Sequence, residues 1–400
     1  MTGRIPTCEL GEVAELYDSL HQTPQYTDEG YPMIRVTDIR RGFVETKGAV
    51  RVDEETYLQF SKKHKPQVGD ILFSRVGSYG NSSYVSRNDA FCLGQNTACI
   101  SPEKSRVEPY FLYCSLNSND LRHQIESLVG GASQGTISLK SIRKLQIPMP
   151  PLPVQRRIAG ILLAYDELME NSQRRIRILE EMARALYREW FVEFRFPGHE
   201  RLPRVASPLG DIPQGWEVKK LKDACHLTMG QSPKSEFYNE TGEGQPFHQG
   251  VTDFGDRFPT DRLFCTVEGR IAEAGDILFS VRAPVGRMNI ADKKIIIGRG
   301  VSAIRHKDGH QAFLWEQLRN RFTKDDMIGN GAIFAAVTKD DMQGIELICP
   351  PPPLVDAATK RLKPIHAEIG TLSKQIQNLR RTRDLLLPRL LSGQITLTTN

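Results

Sequence analysis

A hexapeptide repeated letter for letter sets the frame for this chain: Gly69-Asp70-Ile71-Leu72-Phe73-Ser74 returns as Gly275-Asp276-Ile277-Leu278-Phe279-Ser280. Six identities in register mark a duplication, so the 400 residues fold as two copies of one unit and not as a single large core. Other landmarks return in the same order. Thr37-Asp38-Ile39 is echoed by Thr252-Asp253-Phe254, Gly94 to Ile100 by Gly298 to Ile304, Gly130 to Ile137 by Gly329 to Val337, and Leu145-Gln146-Ile147 by Ile345-Glu346-Leu347. The strand-like framework is shared, while the loops between differ. Loops on a common scaffold are where function is carried, so the division points to one frame used to read two different targets.

Each copy runs into a proline cluster (Pro148, Pro150, Pro151 and Pro153; then Pro350, Pro351, Pro352 and Pro353) and from there into a long helix. Proline suits a helix start, where the amide has no intrahelical partner. The second helix places Val355, Ala358, Leu362, Ile365, Ile369, Leu372, Ile376, Leu379, Leu386 and Leu390 on alternating steps of three and four, a coiled-coil seam interrupted by Arg383. Pro364 inside it predicts a kink or restart. The first helix carries Ile158, Ile161, Leu162, Tyr165, Leu168, Met169, Ile176, Leu179, Met182, Ala183, Leu186 and Trp190, with polar Ser172 and Arg175 at its centre. Seams of this length, duplicated, predict two helices packed on each other, each roughly 50 to 57 Å long at about 1.5 Å per residue.

The first block mixes strand-like runs (Tyr31 to Val36, Val68 to Ser74, Thr97 to Ile100) with one helix expected from Pro109 to Leu128. Turn-rich stretches with many donors, Arg75 to Asn81 and Gly130 to Thr136, lie between them. A net charge of +5 is compatible with a polyanionic partner. No secretory segment opens the chain and no apolar run reaches membrane-spanning length, so a cytoplasmic location is expected. The seven cysteines are scattered without a C-x-x-C pair, which argues against disulfides or a zinc ribbon, and the Cys225-His226 neighbours have no second ligand pair. No phosphate loop, dinucleotide fingerprint, zincin motif, nucleophile elbow or base-flipping Asn-Pro-Pro segment occurs. Asp70, Asp253 and Asp276 have ordinary roles open to them in turns and at strand ends. No catalytic or metal residue is assigned.

With these features the chain resembles the specificity subunits of type I restriction-modification enzymes. The resemblance rests on the two copies, the shared Gly-Asp-Ile-Leu-Phe-Ser strand, the Gly-rich turns bearing Gln134 and Asn330, the proline clusters, and Gln155-Arg156-Arg157-Ile158 opening the first helix. The second copy departs from it, with Asp356-Ala357-Ala358-Thr359-Lys360-Arg361 in place of that start. The resemblance implies an α+β fold of two tandem target-recognition domains, residues 1–150 and 216–350, with spacer helices 151–190 and 351–391 pairing as an antiparallel coiled coil, a linker 191–215 and a tail 392–400. It implies double-stranded DNA as ligand, with each domain reading half of a two-part site across an unread spacer. It also implies two methyltransferase (modification) subunits that bind S-adenosylmethionine and dock on the helices, and restriction/translocase subunits that use ATP and Mg. No cofactor is expected on this chain.

Major-groove reading needs forked donors, arginine for guanine and asparagine or glutamine for adenine. The loops of the first block offer Arg75, Ser78, Tyr79, Asn81, Gln95, Ser133 and Gln134, and those of the second His248, Gln249, Arg282, Arg287, Arg299 and Asn330. Helix pairing is assigned to Ile158, Ile161, Tyr165, Leu179 and Leu186 with Leu362, Ile365, Ile369, Leu372, Ile376 and Leu379. The second helix has eight basic against three acidic residues, so Arg380, Arg381 and Arg383 are candidates to approach DNA. Two other readings stay open at this point: a DNA methyltransferase or nuclease with an unrecognised site, and a coiled-coil scaffold that binds only proteins.

Overall fold

The computed structural model of the protein describes residues 5–129, 135–324 and 337–395. They form two units, one of residues up to Asn171 and from Ile376 onward, the other Ser172–Gln375.

In the first unit, the strands Ala14–Asp18, Thr97–Pro102, Ile71–Ser74 and Ser82–Tyr84 lie side by side in that order, all antiparallel. Ile71, Leu72 and Phe73 are all fully buried, because the strand is covered on both faces. Successive side chains alternate across a strand. Ile71 and Phe73 join the larger core with Phe111, Leu112 and Ile142, while Leu72 joins a second core with Ile34, Ile39, Val85 and Phe91. That second core sits against a smaller sheet of Val50–Val52, Tyr31–Ile34 and Cys92–Leu93, the last two parallel. Thr7–Glu9 pairs with Gln146–Pro148 and closes the copy.

The second unit repeats the plan. Its four-stranded sheet runs Cys225–Met229, Val301–His306, Ile277–Ser280, Met288–Ile290, and Ile277 and Phe279 again enter one core while Leu278 enters another. A strand that must satisfy two cores at once has little freedom to vary, which accounts for the identity of the hexapeptide in both copies. The smaller sheet keeps its parallel pair, Gln245–His248 beside Ile295–Ile297, and gains Tyr238–Asn239 and Ile271–Ala272 at its edges. Asp70 and Asp276 hold the turn before the strand, accepting from the amides of Gln67 and Glu273, each at 2.8 Å. Asp70 also binds His64 (2.6 Å) and Asp276 binds Arg305 (2.6 Å). Burial raises the Asp70 carboxyl, but the hydrogen bonds from His64, Gln67 and Ser101 outweigh it and hold the group below its ordinary value. The helix expected from Pro109 to Leu128 is two, Pro109–Leu116 and Asn119–Ser127, because the Ser118 hydroxyl accepts from the Leu121 amide and starts a new helix.

The long helices are Leu152–Phe191 and Pro352–Leu391, 40 residues each. The α-helix continues through Pro364, against the expected break, although the Lys360 carbonyl loses its helical donor there. In the first unit the start of one helix (Ile158, Ala159, Leu162) packs with the end of the other (Leu387, Leu390, Leu391) and with the domain core. In the second unit the end of the first helix (Ala183, Tyr187, Trp190, Phe191) packs with the start of the second (Val355, Ala358, Leu362) and with Phe313 and Trp216. The pairing is therefore antiparallel. Of the seam residues, Ile158, Leu362, Ile369, Leu372 and Ile376 are buried, and Ile161, Tyr165, Leu179, Leu186, Ile365 and Leu379 are half-buried. Leu168 and Met182, expected in the seam, are 50% and 52% exposed, because the domain cores draw the buried faces around the helix, toward Tyr187 in the second unit.

Polar groups also sit in the seam. Asp166 is buried and accepts from the Tyr110 hydroxyl and from Arg383, whose Nη2 also reaches Asp384 (2.9 Å). At the matched place of the second helix stands His366, 2.9 Å from Glu316 and accepting at Nδ1 from Arg257 (2.9 Å). Arg383 is thus consumed inside the first unit, which removes it from the residues that could face DNA; Arg380 and Arg381 are exposed.

Candidate nucleic-acid interface

In both copies, the loops at one end of the four-stranded sheet are tied together by matched backbone hydrogen bonds. Gly94 donates to Ile34, Arg75 to Asn96 and Ile137 to Arg75; in the second copy Gly298 donates to His248, Val281 to Gly300 and Val337 to Val281, all between 2.8 and 3.0 Å. Backbone ties fix the loop ends whatever the side chains are, so each copy can present different side chains from the same frame. In the second copy the loops approach too closely for a side chain at three positions: a Cβ on Gly230 would strike the carbonyls of Ile297, Gly298 and Val301, one on Gly298 would lie 2.9 Å from Gln249 Cα, and one on Gly300 would lie 2.5 Å from the Gln249 carbonyl oxygen.

The frame brings together Arg75, Ser78, Tyr79, Asn81 and Gln95 in the first copy. Ser78 is exposed at the tip. Tyr79 is half-buried against the larger core, and Asn81 accepts from Arg122 (3.3 Å). Gln95 is exposed, with its Oε1 accepting from the Thr23 hydroxyl at 3.2 Å. Arg75 is a correction: its guanidinium is 13% exposed, paired with Asp18 and donating to the Ile137 carbonyl, so it braces the loops from inside and has no free fork for a base. Ser133 and Gln134 lie outside the described residues, as does Asn330 in the second copy.

In the second copy Gln249, Arg282, Arg287 and Arg299 are all exposed, and among the described residues no carboxylate pairs with any of the three guanidiniums. This is a concentrated positive, fork-bearing edge. His248 is the second correction. It is fully buried, 3.2 Å from Asp261 at Nε2, with Asp261 in turn paired to Lys293. Burial lowers its proton affinity, against the pull of Asp261 and Asp253, so the ring supports the loop from beneath. Its carbonyl receives Gly298 and places Gln249 at the surface.

One matched feature was missed from the sequence. Gln22-Thr23-Pro24 and Gln231-Ser232-Pro233 are the same short motif in both copies, and each touches the loop after the parallel pair: Thr23 donates to Gln95, and Ser232 Oγ accepts from the Arg299 amide (3.2 Å). The repeated Gln-(Thr/Ser)-Pro was the available signal; its offset differs from that of the hexapeptide because the loops leading to it differ in length. Cys225 is buried and burial pushes its thiol up to about 12, so neither it nor the exposed His226 offers a metal pair. Among the described residues one group, His64, Asp70 and Cys99, has ligand atoms within 4.8 Å of one another, but its Asp plays the same turn-holding part as Asp276, where Arg305 takes the place of the histidine. No described helix is long and apolar enough to cross a membrane.

The family model of the type I restriction modification DNA specificity domain matches residues 6–181 and again 213–380. A Methanocaldococcus jannaschii chain named for the type I restriction enzyme MjaX specificity subunit is 32% identical, over 99% of this chain and 96% of its own length. The HindI specificity subunit of Haemophilus influenzae is 25% identical, over 82% and 86%. Among solved structures, the type I restriction-modification S subunit from M. genitalium superposes with a TM-score of 0.62 at 19% identity, over 96% of this chain and 95% of that one, and shares the fold. With both copies matched in one model and the whole length aligned to such a relative, the chain belongs to the DNA specificity subunits of type I restriction-modification systems, the recognition and not the catalytic component.

Proposed function

We propose that each copy reads one half of a two-part duplex DNA target, residues 1–150 one half and 216–350 the other, with the helices at 151–190 and 351–391 setting the unread spacer. The observation that carries this reading is the matched backbone frame holding unlike side chains: Ser78 and Gln95 on one copy, Gln249, Arg282, Arg287 and Arg299 on the other. The arginines serve guanine or phosphate, and the amides serve adenine. Two modification subunits carrying S-adenosylmethionine dock on the exposed faces of the helices, and restriction subunits using ATP and Mg complete the assembly, in the cytoplasm. Residues 191–215 link the first helix to the second reader, and the tail 392–400 follows the second helix.

The test is an exchange of residues 1 to 145 for the equivalent block of a relative, followed by mapping of methylated adenines in the host. One half-site changes and the half read by residues 216 to 345 stays. A change in both half-sites would refute the division.

A further inference from the structure

We infer that Gln22 and Gln231 are specificity-determining residues, one in each domain, presented to an adenine by the recurring Gln-(Thr/Ser)-Pro turn. The inference rests on the proposed reading of one half-site by each domain and adds to it a residue that the loop candidates did not include.

Three observations carry it. The turn recurs at matched places, each following the first strand of the four-stranded sheet, Ala14–Asp18 or Cys225–Met229. In both copies it is tied to the loop that precedes the strand paired with that first strand. Ser19 donates to Thr97, and Thr23 to Gln95; Gly230 donates to Val301, Gln231 to Ile297, and Ser232 receives Arg299. In the second copy Gly230 has no room for a side chain, so Gln231 is set on a backbone crossing that cannot slide.

The glutamine itself is left uncommitted. Gln22 and Gln231 are exposed, and among the described residues neither carboxamide has a hydrogen-bond partner, whereas the hydroxyl next to each is engaged. A carboxamide offers one acceptor and two donors and forks onto the N6 and N7 edge of adenine. Proline directly after Thr23 or Ser232 fixes the local backbone and lowers the cost of ordering the turn on binding. Arg299 stands on the loop to which Gln231 and Ser232 are tied, and Gly300 of that loop donates in turn to the Gln249 carbonyl, so an amide and a guanidinium share one edge, as neighbouring base pairs of unlike sequence require.

The test uses the full subunit assembled with its modification subunits. Competition binding is measured against duplexes in which each base pair of the mapped half-site is replaced in turn. Gln231→Ala is expected to lower affinity for the cognate duplex roughly ten- to a hundredfold, and to abolish discrimination at one A·T position while the other positions keep theirs. Gln22→Ala does the same in the other half-site. An equal loss across every duplex in the panel marks a phosphate contact and overturns the inference. So does unchanged discrimination with Gln231→Ala when the exchange of residues 1 to 145 still moves a half-site; in that case the proposed function stands without it. If the exchange also moves nothing, the reading on which the inference rests is what has failed.

Discussion

Removing the Arg383 guanidinium should loosen the first unit by a predictable amount. Arg383 and Asp166 have side chains only 10% and 9% exposed, and they face each other across the helix pair. In Arg383→Ala, Asp166 stays buried with the Tyr110 hydroxyl as its remaining donor. Breaking a buried pair from one side costs about 3 to 5 kcal/mol, and the surviving tyrosine bond places this case near the low end, about 3 kcal/mol. For a unit of about 200 residues, each kcal/mol moves the midpoint by about 2–4 °C, so a fall of roughly 6–12 °C is expected. Far-UV circular dichroism of the whole chain follows the transition. Tryptophan fluorescence supplies the control, because Trp190, Trp216 and Trp315 all lie in the second unit. Replacing the group as a whole, Asp166→Leu with Arg383→Met and Tyr110→Phe, leaves no buried charge or hydroxyl and should recover most of the loss. A shift under about 2 °C in Arg383→Ala, or a triple variant as unstable as the single, would sink the argument that the cost is an uncompensated buried carboxylate.

Acid should weaken the second unit first. Burial depresses the folded affinities of His248 and His306, so the unfolded rings bind protons sooner; the stability they allow is whole above about pH 6.5 and is lost as pH falls through the lower folded values. The fluorescence midpoint should therefore drop as pH falls below about 6.5, and His248→Gln with His306→Gln should flatten that slope; an unchanged slope counts against it. Replacing Arg282, Arg287 or Arg299 by alanine should either lower the dependence of binding on salt by about one unit of slope, if the residue meets a phosphate, or relax one base position; variants that do neither remove that residue from the interface. Adding four residues after Asn171 and four after Gln375, where the helices pass from one unit to the other, lengthens each helix by about 6 Å and rotates its face only slightly. The methylated motif should then gain about one or two base pairs of spacer, and an unaltered spacer at full rate would mean that the helices are not the ruler.

The sequence by itself determined the duplication, the strand that holds each copy, the place of the long helices and the family, though not the unbroken run of the second helix through Pro364. Those features depend on residue type and spacing along the chain: Ile71-Leu72-Phe73 is apolar at every step because two cores claim it, and a seam repeats because helices do. Tertiary structure decided which polar side chains are free. Arg75 and His248 read as donors in turn-rich loops, yet Asp18 comes from another strand and Asp261 from another loop to take them. Arg383 looked like a break in an apolar seam, and its partner Asp166 lies 217 residues earlier. Leu168 and Met182 fit the helical period but face outward, because the domain cores, and not the partner helix alone, choose which side of each helix is buried. A side chain's type sets what it can bind; whether it is available depends on neighbours that only folding brings within hydrogen-bond distance.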